Sequence, residues 1–114
     1  MLIGISDKIL YKWLKDKEYF GASDEGEAVA IAAGNYLATG ETSTVFMSAD
    51  GFMNALNFLT SWVIPHEIKM HIVISIGRME PSHFIATEIT EPIIKLLEKY
   101  DKTKAITYEF IRKE

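Results

Sequence analysis

The chain has no cysteine, so it carries no disulfide frame, no thiolate metal ligand and no thiol nucleophile, a composition that suits a reducing compartment. Clustered basic residues are also scarce. The net charge is −4, and lysine and arginine stay dispersed until the final Ile111-Arg112-Lys113-Glu114. Nucleic-acid binding normally needs a basic face, which excludes nucleic acid as the main partner. Long apolar runs are missing as well: none approaches the roughly 20 residues of a membrane helix. The opening Met1-Leu2-Ile3-Gly4 is apolar but too short for a signal peptide, so a cytoplasmic location is expected. No internal repeat or low-complexity segment interrupts the 114 residues, of which 48% are hydrophobic and 25% charged. That balance fits one globular domain able to bury a core.

What is present is organised around residues 23–40, Ser-Asp-Glu-Gly-Glu-Ala-Val-Ala-Ile-Ala-Ala-Gly-Asn-Tyr-Leu-Ala-Thr-Gly. Small and apolar side chains from Ala28 to Ala33 allow neighbours to approach the backbone closely, so a central helix approached from several sides is expected. Glu25 and Glu27 stand in its first turn, where acids ordinarily satisfy free N–H groups and the helix dipole. Gly40 ends it by taking a left-handed conformation.

Before this helix, residues 2–5 read as a strand stub, and Ser6-Asp7 caps a helix with Ile9, Leu10, Trp13 and Leu14 on one face, ending near Lys17. Residues 18–22 suit a short buried strand. After it, residues 43–48 are a strand. Ala49-Asp50-Gly51 turns the chain into a helix over about 52–63, with Met53, Leu56, Leu59 and Trp62 at core spacing and Pro65 at its end. Residues 68–76 are nearly continuously apolar, as a strand covered on both faces should be. Gly77 breaks it, residues 78–87 form a loop, and Thr90-Glu91-Pro92 caps a helix to about Tyr100. A last strand is expected over residues 104–108. The alternation predicts a three-layer α/β/α domain with a mainly parallel sheet, whose ligands gather beyond the carboxyl ends of the strands. Those ends are residues 4–7, 22–25, 49–51 and 77–81.

Four blocks carry a family resemblance: Gly4-Ile5-Ser6-Asp7; Asp24-Glu25-Gly26-Glu27-Ala28-Val29-Ala30-Ile31-Ala32-Ala33-Gly34; residues 48–59, Ser-Ala-Asp-Gly-Phe-Met-Asn-Ala-Leu-Asn-Phe-Leu; and Glu80-Pro81-Ser82-His83. Together they resemble the pyrimidine-binding domain of thiamine diphosphate enzymes, most closely the phosphonopyruvate and sulfopyruvate decarboxylase branch, which divides the pyrimidine and diphosphate roles between two domains or subunits. Against that pattern the single domain, residues 1–114, looks truncated before its first strand and in the loop after Gly77. The Gly-Asp-Gly…Asn signature for magnesium and diphosphate is absent, since no glycine precedes Asp50.

The resemblance implies that Glu25 hydrogen-bonds the pyrimidine nitrogen and favours the tautomer that takes the thiazolium proton. Glu27 would point elsewhere, as an acid at a helix start. It further implies that Ala49, Asp50, Gly51 and Phe52 bring backbone to the pyrimidine, that Arg78 and His83 meet the anionic 2-oxo acid substrate, and that Mg²⁺ is held by a diphosphate-binding partner in a homo- or hetero-oligomer. Simpler roles stand beside these: a capping or packing histidine at position 83, a solvated arginine at 78, and Asn54 and Asn57 satisfying backbone at a packing interface. His66, His71 and His83 share no helical spacing with a carboxylate, so no metal centre is expected. A non-catalytic relative, acting as a scaffold or regulatory subunit, is the alternative reading.

Overall fold

A computed structural model describes residues 1–77 and 84–113. The elements alternate: β1 (Leu2–Gly4), α1 (Lys8–Leu14), β2 (Phe20–Gly21), α2 (Glu25–Thr39), β3 (Ser43–Ser48), α3 (Ala49–Phe58) continuing through a wider π turn (Leu59–Val63), β4 (Met70–Ile76), α4 (Phe84–Tyr100) and β5 (Ile106–Arg112). All strand pairs are parallel, in the order β2-β1-β3-β4-β5. This is one of the two common doubly wound orders, and its direction of travel reverses between β1 and β3. The expected three-layer α/β architecture is therefore present.

Side-chain alternation along the strands builds two unequal cores. Val45, Met47, Ile72, Ile74 and Ile106 face α2, α3 and α4, while Phe46 and Val73 face Leu10 and Leu14 of α1. Three helices cover one face of the sheet and a single seven-residue helix covers the other. Gly4 lies where a Cβ would collide with the Phe46 carbonyl, so only glycine lets β1 sit this close to β3.

Several local expectations need correction. The residue 18–22 segment is a two-residue edge strand with Phe20 64% exposed, because among the described residues it pairs with β1 alone. Rather than a central helix, α2 is an outer one: Ala28, Val29, Ala32 and Ala33 are buried, while Ala30, Ile31, Gly34 and Leu37 face outward. The first helix ends at Leu14, with Asp16 taking a positive φ of 67°. Trp62 is 53% exposed and Val63 buried, because the π turn, with Ile64 N–H bonding Leu59 O, carries position 63 rather than 62 back toward the core. The last helix starts by Phe84 and contains Pro92, which sits inside it rather than capping it. Thr90 is accordingly no cap: it is buried and its hydroxyl donates to Ala86 O at 2.6 Å. Gly40 does close α2 in the left-handed conformation, at φ 77°.

Candidate functional site

The carboxyl edge of the sheet assembles around β1. Because α1 leaves β1 toward one face, the starts of α2, after β2, and α3, after β3, meet beside the β1 end on the other. Each start is capped from its own sequence. Asp24 Oδ1 accepts the Glu27 N–H at 2.8 Å, and Ser48 Oγ accepts the Gly51 N–H at 3.0 Å.

Glu27 completes the first of these caps. Its two oxygens accept the Ser23 N–H and the Ser23 hydroxyl, each at 2.9 Å, in a reciprocal arrangement that fixes the entry of α2. Glu25, two residues earlier, makes no such bond with its own helix start. Its half-buried side chain crosses to α3, where Oε1 accepts Asn54 Nδ2 at 3.1 Å and the rest lies against Gly51. A Cβ on Gly51 would overlap the Glu25 carboxyl group, so this glycine is what lets the carboxylate lie on the first turn of α3. Asn54 is one helical turn further along the same face, and orients the carboxylate with a hydrogen bond to a charged acceptor.

The segment from Ala49 to Phe52 is the first turn of α3 itself rather than a turn leading into it. Ala49 and Phe52 bury their side chains in the core, at 1% and 0% exposure, so what this turn offers at the edge is Asp50, which is half-buried, and backbone. Arg78 and His83, with the whole Glu80-Pro81-Ser82-His83 block, lie outside the described residues. Asp7 is at the same edge, but both its oxygens are engaged. Oδ1 accepts the Leu10 N–H at 2.7 Å as the α1 cap, and Oδ2 accepts the Ser75 hydroxyl at 2.6 Å, tying the start of α1 to β4.

The role of Asn54 is the one sequence reasoning missed, having assigned it to backbone. The signal was its spacing: an asparagine three residues after a glycine puts a hydrogen-bond donor and an absent side chain on one helix face, which leaves room for a polar group from outside. Asn57 instead accepts the Ser61 hydroxyl at 3.1 Å. His71, expected in a buried strand, is half-exposed on the α1 side of β4, against Thr107 Oγ1 at 2.6 Å and Glu109 Oε1 at 3.0 Å. Among the described residues no three His, Cys, Asp or Glu side chains are grouped to hold a metal ion. The tyrosine hydroxyl of Tyr108 is pushed well above its ordinary range by burial, and further by the charges of Asp101 and Glu98; it lies on β5, at the opposite end of the strand order from the edge strand that precedes Glu25.

Alongside the Glu25 site runs an apolar groove of about 400 Å³ between α2 and the end of α3, lined by Ala30, Gly34, Leu37, Phe58 and Trp62 among others. Its Phe58 ring packs close to Gly26, next to Glu25 in the chain. No helix among the described residues is long and apolar enough to cross a membrane. Compared with known proteins, the chain matches no family model and no curated protein.

Proposed function

We propose that the chain is the pyrimidine-binding subunit of a thiamine diphosphate-dependent 2-oxo acid decarboxylase, working against a separate diphosphate-binding chain on a phosphonopyruvate- or sulfopyruvate-like substrate. The observation that carries this reading is the division of labour between two acids of one helical turn. Glu27 performs the capping, and Glu25 is turned away from its own helix onto α3, held by Asn54 over a glycine.

The residues present suit the ring. A half-buried carboxylate with one oxygen oriented by an amide is a natural partner for a ring nitrogen that shares a proton. Bound thiamine diphosphate would supply the electron sink for decarboxylation, and the protein supplies placement and electrostatics. Glu25 then holds the proton toward the ring, Asn54 keeps the carboxylate from rotating back to the α2 N–H groups, and Gly51 leaves the carboxylate room to lie on α3. The shallow exposure of this site suits a cofactor shared between chains, and the exposed groove beside it, with Leu37 62% and Trp62 53% exposed, suits the face that meets the partner. Magnesium and diphosphate belong to that partner in this reading.

Mixing the purified chain with a diphosphate-binding chain that carries the Gly-Asp-Gly…Asn signature tests it. Decarboxylation of phosphonopyruvate or sulfopyruvate is expected only in the mixture with magnesium and cofactor. A mixture that associates but never turns over, while the chain fails to respond to thiamine, overturns the catalytic reading in favour of a scaffold.

A further inference from the structure

The one-helix face of the sheet carries a second site. Between α1 and the end of β5 runs a groove of about 450 Å³, within the range of small-molecule pockets, with Ile9, Trp13 and Ile111 as its apolar lining and Lys8, Lys12, Arg112 and Lys113 as its cations. In sequence these cations are a hundred residues apart, so they look dispersed. In the fold, α1 and the β5 end bring Lys8, Lys12, Arg112 and Lys113 to one groove, in a chain whose net charge is −4.

The β5 wall is positioned rather than trailing. Lys113 N–H donates to Ile76 O at 3.0 Å, and Gly77, at φ 120°, leaves room for Lys113 where a Cβ would stand 2.7 Å from Lys113 Cβ. The Arg112 guanidinium is turned to the other face, onto Glu91 of α4 at 2.6 Å and over the Phe110 ring, so the groove's cations are Lys8, Lys12 and Lys113, which hold no acid among the described residues. The acids of this face are oriented by other groups, Asp7 by the Leu10 N–H and the Ser75 hydroxyl and Glu109 by His71. Along the same face toward the strand starts, the surface turns polar through Glu109, His71 and Thr107. An apolar helix laid across the whole face would bury these groups, so the feature matches a small ligand confined to the upper half.

We propose that this groove binds a small organic phosphate, a phosphate ester on a flat apolar body, with the anion between Lys8, Lys12 and Lys113 and the body against Trp13 and Ile111. Inorganic anions lack the second contact, and neutral aromatics lack the first. The site is separate from Glu25 and does not depend on its role.

The test uses the full chain carrying Trp62→Phe, which leaves Trp13 as the single tryptophan of the original two. Phenyl phosphate, inorganic phosphate and phenol are titrated at constant ionic strength, reading Trp13 fluorescence and the amide resonances of Ile9, Ile111 and Lys113. Saturable binding is expected for phenyl phosphate, weaker binding for inorganic phosphate and none for phenol. Lys12→Glu and Lys113→Glu should each weaken phenyl phosphate binding roughly tenfold or more, with the fold checked by circular dichroism. Lys69→Glu and Glu25→Gln should leave it within about twofold, as expected of distant sites. An absent or unsaturable response, equal weakening by Lys69→Glu, or sedimentation with phosphatidate vesicles in place of phenyl phosphate binding overturns the proposal.

Discussion

The two sides of the α2 entrance differ by two residues and by their partners. On one side Glu27 faces Ser23 and Asp24 and closes a local cap, satisfied within a five-residue stretch. On the other, Glu25 faces Asn54, 29 residues away, and a glycine that exists as an opening for it. Local helix chemistry explains Glu27 completely. It leaves Glu25 without a capping duty, and a carboxylate held by a distant amide at the carboxyl edge of a parallel sheet, where ligands of doubly wound folds gather, stands where chemistry is expected. Position in the helix alone therefore does not decide what a first-turn acid does; the element packed against it does.

The comparison breaks if the two acids respond alike. In the reconstituted enzyme, Glu25→Gln should lower turnover about 10²- to 10⁴-fold with the fold intact, whereas Glu27→Gln should change it only a few-fold and lower stability by roughly 0.3–1 kcal/mol. Steady-state kinetics beside chemical denaturation separates the two. A matched pair of glycines sharpens the contrast. Gly51→Ala places a methyl group against the Glu25 carboxyl, a flexible group that swings aside, so turnover should fall about tenfold or more while stability moves by less than about 1 kcal/mol. Gly26→Ala meets the Phe58 ring and the Asp24 carboxylate instead, and should leave turnover within a few-fold. The smallest effect on turnover is expected for Asp24→Ala, which removes the α2 cap: turnover per folded molecule unchanged, with about 1 kcal/mol lost in urea unfolding.

Much of the fold was legible because its signals are local. The apolar run 68–76, the left-handed Gly40 and the N-cap Asp7 each state their structure within a few residues. What failed depends on distant neighbours. Residues 18–22 look like a strand in isolation, but only the sheet order reveals that they form an exposed edge. Pro92 signals a helix start, yet packing by Ile94 and Leu97 and the earlier turn from Phe84 carry the helix through it. For the site, Glu25 was marked by resemblance and by its place in the first turn, whereas Asn54 and the neighbourhood of Gly51 required the meeting of α2 and α3. The basic groove was invisible for the same reason, since Lys12 and Lys113 become neighbours only through the parallel sheet.

The carboxylates themselves report most directly. With side-chain carboxyl carbons labelled in glutamate, titration of the purified chain with thiamine should shift the Glu25 signal progressively, leave the Glu27 signal in place, and lose the response in Asn54→Ala or Gly51→Ala. That outcome is what a pyrimidine resting on Glu25 requires. Equal movement of both carboxyl signals, or movement of neither at saturating thiamine, would contradict it and leave Glu25 as a helix-start acid bridging two helices.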